Sequence, residues 1–532
     1  MTKERLYLFD TTLRDGAQTA GIEFSLEDKI RIAALLEEIG VDYVEGGYPG
    51  ANVVDDAFFS ERRTKRATFT AFGMTKRSGR SIGNDAGLQA ILNAPSPAMC
   101  LVGKSSEHQV KIALGISGEE NLKSLRESVE AGVAAGKEVL IDCEHFFDGY
   151  KSNAAYSLKF VETAIKAGAR WVVLCDTNGG TMPSEVADIV RAVTAVVPGE
   201  KLGIHAHDDT GQAVANSLAA VEAGVRQIQG TLNGLGERCG NANLVSIIPT
   251  LVLKPVFADR FETGVGAAEL AELTRVSRAF DDLLNRAADR QAPYVGAAAF
   301  ATKAGIHASS IAKDPSTYEH VPPESVGNER NIMVSQQAGK SNLLTALKRH
   351  GIAIDKEDSR LERLLRTVKE REATGYSYDG ADASFAILAR RVLGTLPVFF
   401  EVESYRASVE RRHNAKGQMI NVTEAVVKIE VDGERLMSVA EGNGPVNALD
   451  LALRKDLGKF SAEIADLELV DFKVRILNGG TGAVTRVLVE SRDGTGDRWS
   501  TIGVSANIID ASFEALYESI TYKLLKTRGS AA

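Results

Sequence analysis

Short apolar or β-branched runs alternate with longer segments of helical periodicity along the chain as far as Gly240. The segment Leu26–Ile39, for example, places its apolar residues on one helical face, and Ser25 and Gly40 are typical residues for its two caps. Strands that alternate with helices pair in parallel through right-handed crossovers. We predict strands at eight runs: Leu6–Phe9, Tyr43–Glu45, Thr68–Phe72, Met99–Val102, Val139–Asp142, Trp171–Leu174, Leu202–Ile204 and Gln227–Gly230.

Eight such units within about 235 residues predict an α/β fold with a closed (β/α)8 TIM barrel. An open, doubly wound sheet that binds a dinucleotide would carry a Gly-x-Gly-x-x-Gly turn after an early strand, and this sequence has none. In such a barrel the catalytic groups lie at the carboxyl ends of the strands. Polar clusters follow six of the runs at that end: Asp10–Asp15, Glu45, Glu144–His145, Asp176–Asn178, His205–Asp209 and Asn233–Asn243.

His205 and His207 are the residues most typical of a metal site. Alternate residues of an extended strand point to the same side, so both imidazoles can enter the barrel mouth. Two imidazoles and one carboxylate commonly bind a divalent cation. Asp15 is the best-placed carboxylate, because strands one and eight close the ring beside strand seven. Two histidines in a hydrogen-bonded polar layer are the alternative, but their position at a strand end favours a metal.

Three further features at this end each allow two interpretations. Arg14 could neutralise a substrate carboxylate or a developing alkoxide, or it could form a buried salt bridge. The loop Gly234–Asn241 could cradle a phosphate, although it lacks the Gly-Lys-Ser/Thr ending of a nucleotide loop, or it could bring the amide oxygen of Asn241 to the metal. Glu144 is suited to acid–base chemistry, and a carboxylate at this position is as often structural.

The strand–helix alternation stops near Glu262, and two further regions follow. A mostly helical linker comes first, with an amphipathic stretch at Asp355–Glu372. From Pro397 onward the pattern is β-rich, and strand, Asp-Gly turn, strand and helix occur over residues 426–457 and again over 484–525. This ββα-type internal repeat predicts a C-terminal α+β domain, whose plainest role is dimerisation. We therefore expect three domains, at residues 1–265, 266–395 and 396–532.

Composition excludes several classes of function. The net charge is −9 and the pI is near 5.6, which argues against nucleic acid and a membrane surface as partners. No apolar run approaches the roughly 18 residues of a membrane helix, and the first residues lack the pattern of a signal peptide. Four widely spaced cysteines without a Cys-x-x-Cys pair indicate a reducing compartment. We expect a cytoplasmic enzyme.

Three motifs in combination resemble a known superfamily. The Asp10–Gly16 segment, the pair His205-x-His207 and the Gly234–Asn241 loop resemble the DRE-type metal-dependent barrel enzymes, and the similarity covers essentially the whole chain. That superfamily includes the 2-isopropylmalate, homocitrate and citramalate synthases and 3-hydroxy-3-methylglutaryl-CoA lyase. Further segments are similar to those of the long-form citramalate synthases: Glu45–Gly50, Glu144–Lys151 and Cys175–Thr181.

The resemblance implies a set of site residues. A divalent metal (Mg, Mn or Zn) would be bound by four residues: Asp15, His205, His207 and Asn241. Arg14 would stabilise oxygen charge, Thr177 would hold the carboxylate of a 2-oxo acid, and Glu144 would lie beside the substrate. His307, within Lys303–Ala308, would reach the active site of a neighbouring subunit, with Tyr318 as its companion.

The resemblance also implies a reaction and its regulation. The expected reaction condenses acetyl-CoA with pyruvate, with His307 as the base, and the alternative is 2-isopropylmalate synthesis from a larger 2-oxo acid. We expect a homodimer whose C-terminal domain binds a feedback amino acid, isoleucine or leucine, near the loops Gly442–Pro445 and Gly479–Gly482. The lyases of the superfamily generally end soon after the barrel. A non-enzymatic scaffold would require a degraded site, whereas every expected ligand is present.

Overall fold

The computed structural model describes residues 3–284, 286, 288–302, 307, 310–311, 313–332, 340–413, 415–477 and 483–529. The loop Gly479–Gly482 and all of Lys303–Ala308 except His307 lie outside the described residues. The chain forms two compact units, Met1–Phe300 with Glu319–Arg330, and Ala301–Tyr318 with Asn331–Ala532. Within the described part of the chain, no helix is long and apolar enough to cross a membrane.

The first unit contains a closed barrel of eight parallel strands, which confirms the predicted fold. Each strand pairs with the next along the chain, and the first pairs with the last. Seven strands continue one or two residues past their predicted carboxyl ends, where the sequence turns polar. The strands are β1 Tyr7–Asp10, β2 Tyr43–Gly47, β3 Thr68–Met74, β4 Ala98–Lys104, β5 Glu138–Glu144, β6 Trp171–Asp176, β7 Leu202–Ala206 and β8 Gln227–Gly230.

Helices surround the barrel on its outer face. The predicted cap of the first helix is confirmed, because the Ser25 hydroxyl accepts a hydrogen bond from the Asp28 N–H at 3.1 Å. Gly40, just after that helix, adopts the left-handed conformation with φ of 77°. The main helices are α1 Leu26–Glu38, α2 Val53–Phe58, α3 Ala86–Asn93, α4 Gly118–Ala134, α5 Phe146–Ala167, α6 Pro183–Thr194, α7 Ala213–Ala223 and α8 Leu244–Leu253.

The interior of the barrel is closed at its amino-terminal end by aromatic side chains. The indole N–H of Trp171 donates to the Tyr43 hydroxyl at 3.1 Å, and the Arg170 guanidinium lies 3.8 Å from the centre of the Trp171 ring. This apolar layer is built from residues that alternate along the strands: Phe9, Tyr43, Ala98, Cys100, Leu140, Trp171, Val173 and Cys175. Most of the polar side chains that could do chemistry therefore lie at the opposite end of the barrel interior.

Short elements complete the first unit. The first helices of the predicted linker region are α9 Ala267–Ala271 and α10 Leu273–Leu283. Asn233, in the loop after β8, donates from its amide to Asp281 on α10 at 3.0 Å. A two-residue parallel pairing joins Glu4–Arg5 to Phe261–Glu262. Brief helical turns lie at Glu107–Gln109, Val110–Leu114 and Pro255–Ala258.

The second unit begins with helices and ends in two similar sheet–helix modules. The helices α11 Lys340–Arg349, α12 Ser359–Ala373 and α13 Asp382–Leu393 come first, after a short pairing of Ala301–Thr302 with Asn331–Ile332. As its pattern predicts, α12 buries one face: Leu361, Leu364 and Val368. The modules are β9 Glu401–His413, β10 Met419–Val431, β11 Glu434–Gly442 and α14 Pro445–Lys455, then β12 Glu468–Ile476, β13 Thr485–Arg492, β14 Arg498–Ser505 and α15 Ile508–Gly529.

The internal repeat is thus confirmed, and each module has one more strand than the sequence pattern predicts. In both modules the three strands form an antiparallel sheet in chain order. The additional strands, β9 and β12, each lie at one edge of their sheet, and their residues are exposed or half-buried. Apolar residues still alternate along part of each strand, at Tyr405, Ala407 and Val409 in β9 and at Phe472, Val474 and Ile476 in β12. The β-rich pattern predicted from Pro397 onward covers both strands without assigning them to the two repeat units.

Candidate active site

Asp15, His205 and His207 come together at the carboxyl end of the barrel. One potential ligand atom from each lies within 4.8 Å of the other two. The Oδ2 atom of Asp15 is 3.1 Å from Nε2 of His205 and 4.0 Å from Nε2 of His207. All three side chains are buried. One carboxylate and two imidazoles that converge in this way form a donor set suited to a divalent cation.

The backbone positions these three residues. His205 lies within β7, and His207 follows the last residue of that strand, so the two imidazoles share one side as the alternation predicts. Asp15 ends a tight turn after β1, in which its N–H donates to the Thr11 carbonyl at 2.8 Å. The two segments meet because β7 and β1 both flank β8 in the closed barrel.

The charges of the cluster suit metal binding. Burial alone would raise the pKa of Asp15, but the Arg14 charge and the His205 hydrogen bond hold it well below its usual range. Burial, together with the charge of His205, lowers the pKa of His207 to about 4, so this imidazole is neutral at neutral pH. Burial opposes protonation of His205 as well, but the hydrogen bond and charge of Asp15 raise its pKa. An ionised carboxylate and neutral imidazoles are the forms that bind metals, so Asp15 and His207 are favoured in their ligand forms and a metal competes with the proton on His205.

The glycine-rich loop after β8 brings Asn241 to the same place. A backbone bridge pairs Asn241 with His207, and the Asn241 amide N–H donates to the Leu235 carbonyl at 3.3 Å. The amide oxygen is buried, and among the described residues it has no hydrogen-bond partner. A Cβ on Gly236 would lie 2.1 Å from the Asn241 amide nitrogen, so only glycine at 236 leaves room for this side chain. The geometry therefore favours the metal-ligand interpretation of the loop.

Arg14 contacts three carboxylates at the base of the site. Its Nε donates to Glu45 at 2.7 Å, and its terminal nitrogens lie 3.4 Å from Asp15 and 3.9 Å from Asp142. Its guanidinium also lies 4.1 Å from the centre of the Phe72 ring. Burial opposes the charge, but the three carboxylates raise the pKa of Arg14 above its ordinary value. The buried salt bridge is thus real, and it places a permanent cation beside a candidate metal ligand.

A second group of potential ligands lies beneath Arg14. One atom each from Glu45, Cys100 and Asp142 also falls within 4.8 Å of the others. Burial raises the pKa of Glu45 to about 7 and raises the pKa of the Cys100 thiol well above its ordinary value. Since the Arg14 guanidinium already contacts Glu45 and Asp142, we interpret this group as the polar layer that supports the site.

Glu144 and Thr177 lie at the ends of the neighbouring strands. Glu144 is the last residue of β5, and its carboxylate forms an ion pair with Lys104. The Thr177 hydroxyl accepts a hydrogen bond from the His145 N–H at 2.8 Å, and the Thr177 carbonyl accepts one from Arg238 at 2.8 Å. Their parts in substrate binding remain predictions.

His307 and Tyr318 contact each other in the second unit. The centres of their rings are 4.2 Å apart and the rings are tilted by 30°. The Tyr318 side chain is 51% exposed and is thus accessible to a partner molecule. The structure brings these two predicted residues together, and their part in the reaction stays a prediction.

The sequence prediction misses two residues of the polar layer. It places Asp142 only at the end of a predicted strand and gives Gln229 no function. Gln229 is fully buried, lies 2.8 Å from His205 Nδ1 through its amide oxygen, and donates to Asp142 at 3.0 Å. Alternation along the strand could have identified Asp142, because it precedes Glu144 by two residues and faces the same interior.

Comparison with known proteins defines the class of enzyme. Residues 5–277 match the HMGL-like family, residues 294–375 match the homocitrate synthase post-HMGL domain-like family, and residues 379–524 match the LeuA allosteric (dimerisation) domain. A TIM barrel with a buried Asp-His-His group, followed by these two domains, is the organisation of an HMGL-like enzyme with an allosteric domain.

Relatives identify the family more closely. The chain is 46% identical to the (R)-citramalate synthase of Aquifex aeolicus over 528 residues, 98% of each protein. It is 46% identical to the (R)-citramalate synthase of Synechocystis over 534 residues, 98% of this chain and 96% of that protein. It is 32% identical to the probable 2-isopropylmalate synthase of Methanopyrus kandleri over 524 residues, 97% of this chain and 98% of that protein. The chain belongs to the (R)-citramalate synthase family, which confirms the family and enzyme class predicted from the motifs.

Proposed function

We propose that this enzyme condenses acetyl-CoA with pyruvate and water to give (R)-citramalate and CoA. The observation that carries the proposal is the convergence of Asp15, His205 and His207 within 4.8 Å, directly beside the half-buried guanidinium of Arg14. A 2-oxo acid presents a ketone and a carboxylate, and this pairing of a cation site with a fixed positive charge is suited to both. Membership of the (R)-citramalate synthase family supports pyruvate as the 2-oxo acid.

The residues at the barrel mouth fit a divalent metal as the cofactor. The Asp-His-His donor set is complemented by the Asn241 amide oxygen, which is buried and, within the described residues, without a partner. Such nitrogen and oxygen donors suit Mg²⁺, Mn²⁺ or Zn²⁺. A cation bound there supplies Lewis-acid polarisation of the 2-oxo group.

Arg14 and Thr177 would bind and orient the 2-oxo acid. The Thr177 hydroxyl uses its oxygen to accept from the His145 N–H, so its hydrogen is left to donate to the pyruvate carboxylate. Glu45 holds Arg14 through Nε, and the terminal nitrogens face Asp15 and Asp142. From there they can donate to the ketone oxygen as it gains negative charge.

His307 would act as the base, with Tyr318 and Glu144 near the substrate. The imidazole takes a proton from the methyl group of acetyl-CoA, and the methyl carbon then bonds to the keto carbon of pyruvate. The keto oxygen gains a proton, and water cleaves the thioester to release CoA. A histidine is suited to this step because the ordinary pKa of its side chain lies near neutral pH. The 4.2 Å ring contact with Tyr318 restrains the orientation of the imidazole.

We also propose a homodimer, the state that the LeuA-type domain supports, with His307 supplied to the neighbouring subunit's site. Isoleucine or leucine would bind the C-terminal domain as a feedback effector, near the loop Gly442–Pro445.

In the three-domain organisation that we propose, residues 1–265 catalyse, 266–395 complete the site and 396–532 regulate. All four cysteines are free thiols, which supports a reducing cytoplasm as the compartment.

Release of CoA from acetyl-CoA, measured with a panel of 2-oxo acids, tests the proposal. The panel is pyruvate, 2-oxobutyrate, 2-oxoisovalerate and 2-oxoglutarate. We expect the highest kcat/KM with pyruvate and (R)-citramalate as the product. A preference for 2-oxoisovalerate would instead assign 2-isopropylmalate synthesis, the activity named for the Methanopyrus kandleri relative.

A further inference from the structure

Gln229 links the candidate metal site to the polar layer beneath it. It lies on β8, its side chain is fully buried, and its two polar atoms face two different groups. The amide nitrogen lies 3.0 Å from an Asp142 carboxylate oxygen, and the amide oxygen lies 2.8 Å from Nδ1 of His205. Gln229 is therefore the only bridge that the described contacts provide between Asp142 and His205.

Asp142 determines which end of the amide faces His205. A carboxylate can only accept hydrogen bonds, so the nitrogen of Gln229 must be the end that faces Asp142. A terminal nitrogen of Arg14 lies 3.9 Å from the other Asp142 oxygen, so this carboxyl group is held between a guanidinium and the Gln229 amide nitrogen. The Gln229 oxygen is thereby directed to His205 and can only accept.

This orientation determines the tautomer of His205. Because the amide oxygen accepts, the hydrogen of His205 lies on Nδ1, and in the neutral ring Nε2 then carries the lone pair. That lone pair lies 3.1 Å from an oxygen of Asp15. Two acceptors at this distance repel each other unless a proton or a metal cation lies between them, so a metal bound here takes the place of a proton on Nε2. His207 differs, because its Nδ1 is buried and has no partner among the described residues.

We propose that Gln229 is a positioning residue that holds His205 in the tautomer required of a metal ligand, and that Asp142 holds Gln229. The proposal rests on the proposed metal site. Residues that donate or accept behind a metal-bound imidazole fix its orientation, and their loss typically weakens metal binding about 10- to 100-fold.

The test is a titration of the metal-free, full-length protein with Mn²⁺, in which free Mn²⁺ is measured by electron paramagnetic resonance. Q229M removes both hydrogen bonds at similar volume, and Q229N keeps an amide that is too short to bridge both partners. Q229E restores the pattern, because two carboxyl groups about 3 Å apart share one proton, so the introduced carboxyl group donates to Asp142 and accepts from His205. We expect Q229M and Q229N to raise the Mn²⁺ Kd about 10- to 100-fold, and Q229E to bind close to wild type.

Gln227 supplies a matched control. It is also fully buried on β8 with its side chain inside the barrel, and within the described residues neither of its polar atoms has a partner. Q227M should therefore leave the Kd unchanged. Circular dichroism and Tm of the metal-free proteins establish which variants fold. H207A removes a proposed metal ligand, so Mn²⁺ binding that is lost in H207A belongs to the proposed site.

The outcomes separate this inference from the metal proposal. Weaker Mn²⁺ binding in Q229M or Q229N, together with normal binding in Q229E and in Q227M, supports the positioning role of Gln229. If either folded variant binds Mn²⁺ as wild type does, or if Q227M weakens binding equally, the positioning role is wrong and the metal site stands. If wild type shows no binding that H207A removes, the metal site and the inference both fail.

Discussion

At the scale of single residues, the charge balance of the site depends on Arg14. Three carboxylates, Asp15, Glu45 and Asp142, surround this one guanidinium, and all are buried. Removing one partner of a buried ion pair typically costs about 3–5 kcal/mol, since the other charge is left uncompensated. An inactive R14A variant could therefore have lost either stability or catalysis. R14K is the more informative substitution.

We predict that R14K folds and binds metal but loses turnover. The ammonium keeps the positive charge, but it lacks the planar fork by which Arg14 donates to Glu45 from Nε and faces Asp15 with a terminal nitrogen. Loss of one charge-stabilising donor should lower kcat for CoA release about 100-fold. R191K, at an exposed arginine of α6, is the control. A kcat equal to wild type with normal metal content would exclude Arg14 from the chemistry.

At the scale of elements, the loops after three strands are joined by Arg238. This residue, in the loop after β8, donates to both carboxylate oxygens of Asp209 at 2.7 and 2.9 Å and to the Thr177 carbonyl at 2.8 Å. The loops that follow β6, β7 and β8 thus share one guanidinium. We call the contacts of Arg238 with Asp209 and Thr177 the clamp. The position of Thr177 relative to Asn241 should depend on this clamp.

We predict that R238A raises KM for the 2-oxo acid more than it lowers kcat. A partly exposed ion pair contributes up to about 1 kcal/mol, which corresponds to about a fivefold change. The proposed Thr177 contact to the carboxylate is present in the ground state and the transition state alike, so its loss is mainly a binding effect. D209A should act similarly, and the double variant should be no worse than either. Additive effects would show that the clamp does not act as one unit.

A buried carboxyl group lies between two helices of the second unit. Glu518 on α15 is 3% exposed, and it accepts a hydrogen bond from Ser384 on α13. Burial raises the pKa of Glu518 to about 7 from the ordinary 4.5. The native state therefore keeps a proton between pH 4.5 and 7 that the unfolded state releases, so stability falls as pH rises through this range.

We predict that E518Q weakens this pH dependence. Glutamine offers the same oxygen to Ser384 without a charge, so the loss of up to about 3 kcal/mol on going to pH 7 and above should be absent. The measurement is Tm at pH 5 and pH 8 for wild type and variant. E434Q, at an exposed glutamate of β11, should follow wild type. Equal Tm differences in wild type and E518Q would contradict the assignment.

At the scale of the whole molecule, the sequence is most informative where chemistry and periodicity coincide. The eight strands are recognisable because each is a short apolar or β-branched run between segments of helical periodicity. His205 and His207 are recognisable because two imidazoles on one side of a strand end are typical of a metal site. Gln229 is not recognisable, because its function depends on Asp142, which lies 87 residues away along the chain. The edge strands β9 and β12 also show apolar alternation, and the β-rich prediction from Pro397 onward includes them without assigning them to the two repeat units.

We predict that two inactive variants restore activity when they form mixed dimers. H207A removes a metal ligand from the barrel, and H307A removes the proposed base. If His307 serves the neighbouring subunit, a mixed dimer has one site in which both residues are intact. With random pairing, about half of the dimers are mixed, so activity should reach about a quarter of wild type.

The measurement uses the two variants co-expressed and isolated at twice the 57.0 kDa mass of one chain. Each variant alone is the control, and both should be inactive. A mixture as inactive as its components would place His307 in its own subunit's site or outside the reaction.

The most direct test of the central claim is pyruvate-dependent CoA release before and after removal of the metal. We predict that a chelator abolishes release, that Mg²⁺, Mn²⁺ or Zn²⁺ restores it in wild type, and that H207A stays inactive with any of them. Full activity in chelated protein whose metal content has been measured as zero, or in H207A, would contradict a catalytic metal at Asp15, His205 and His207.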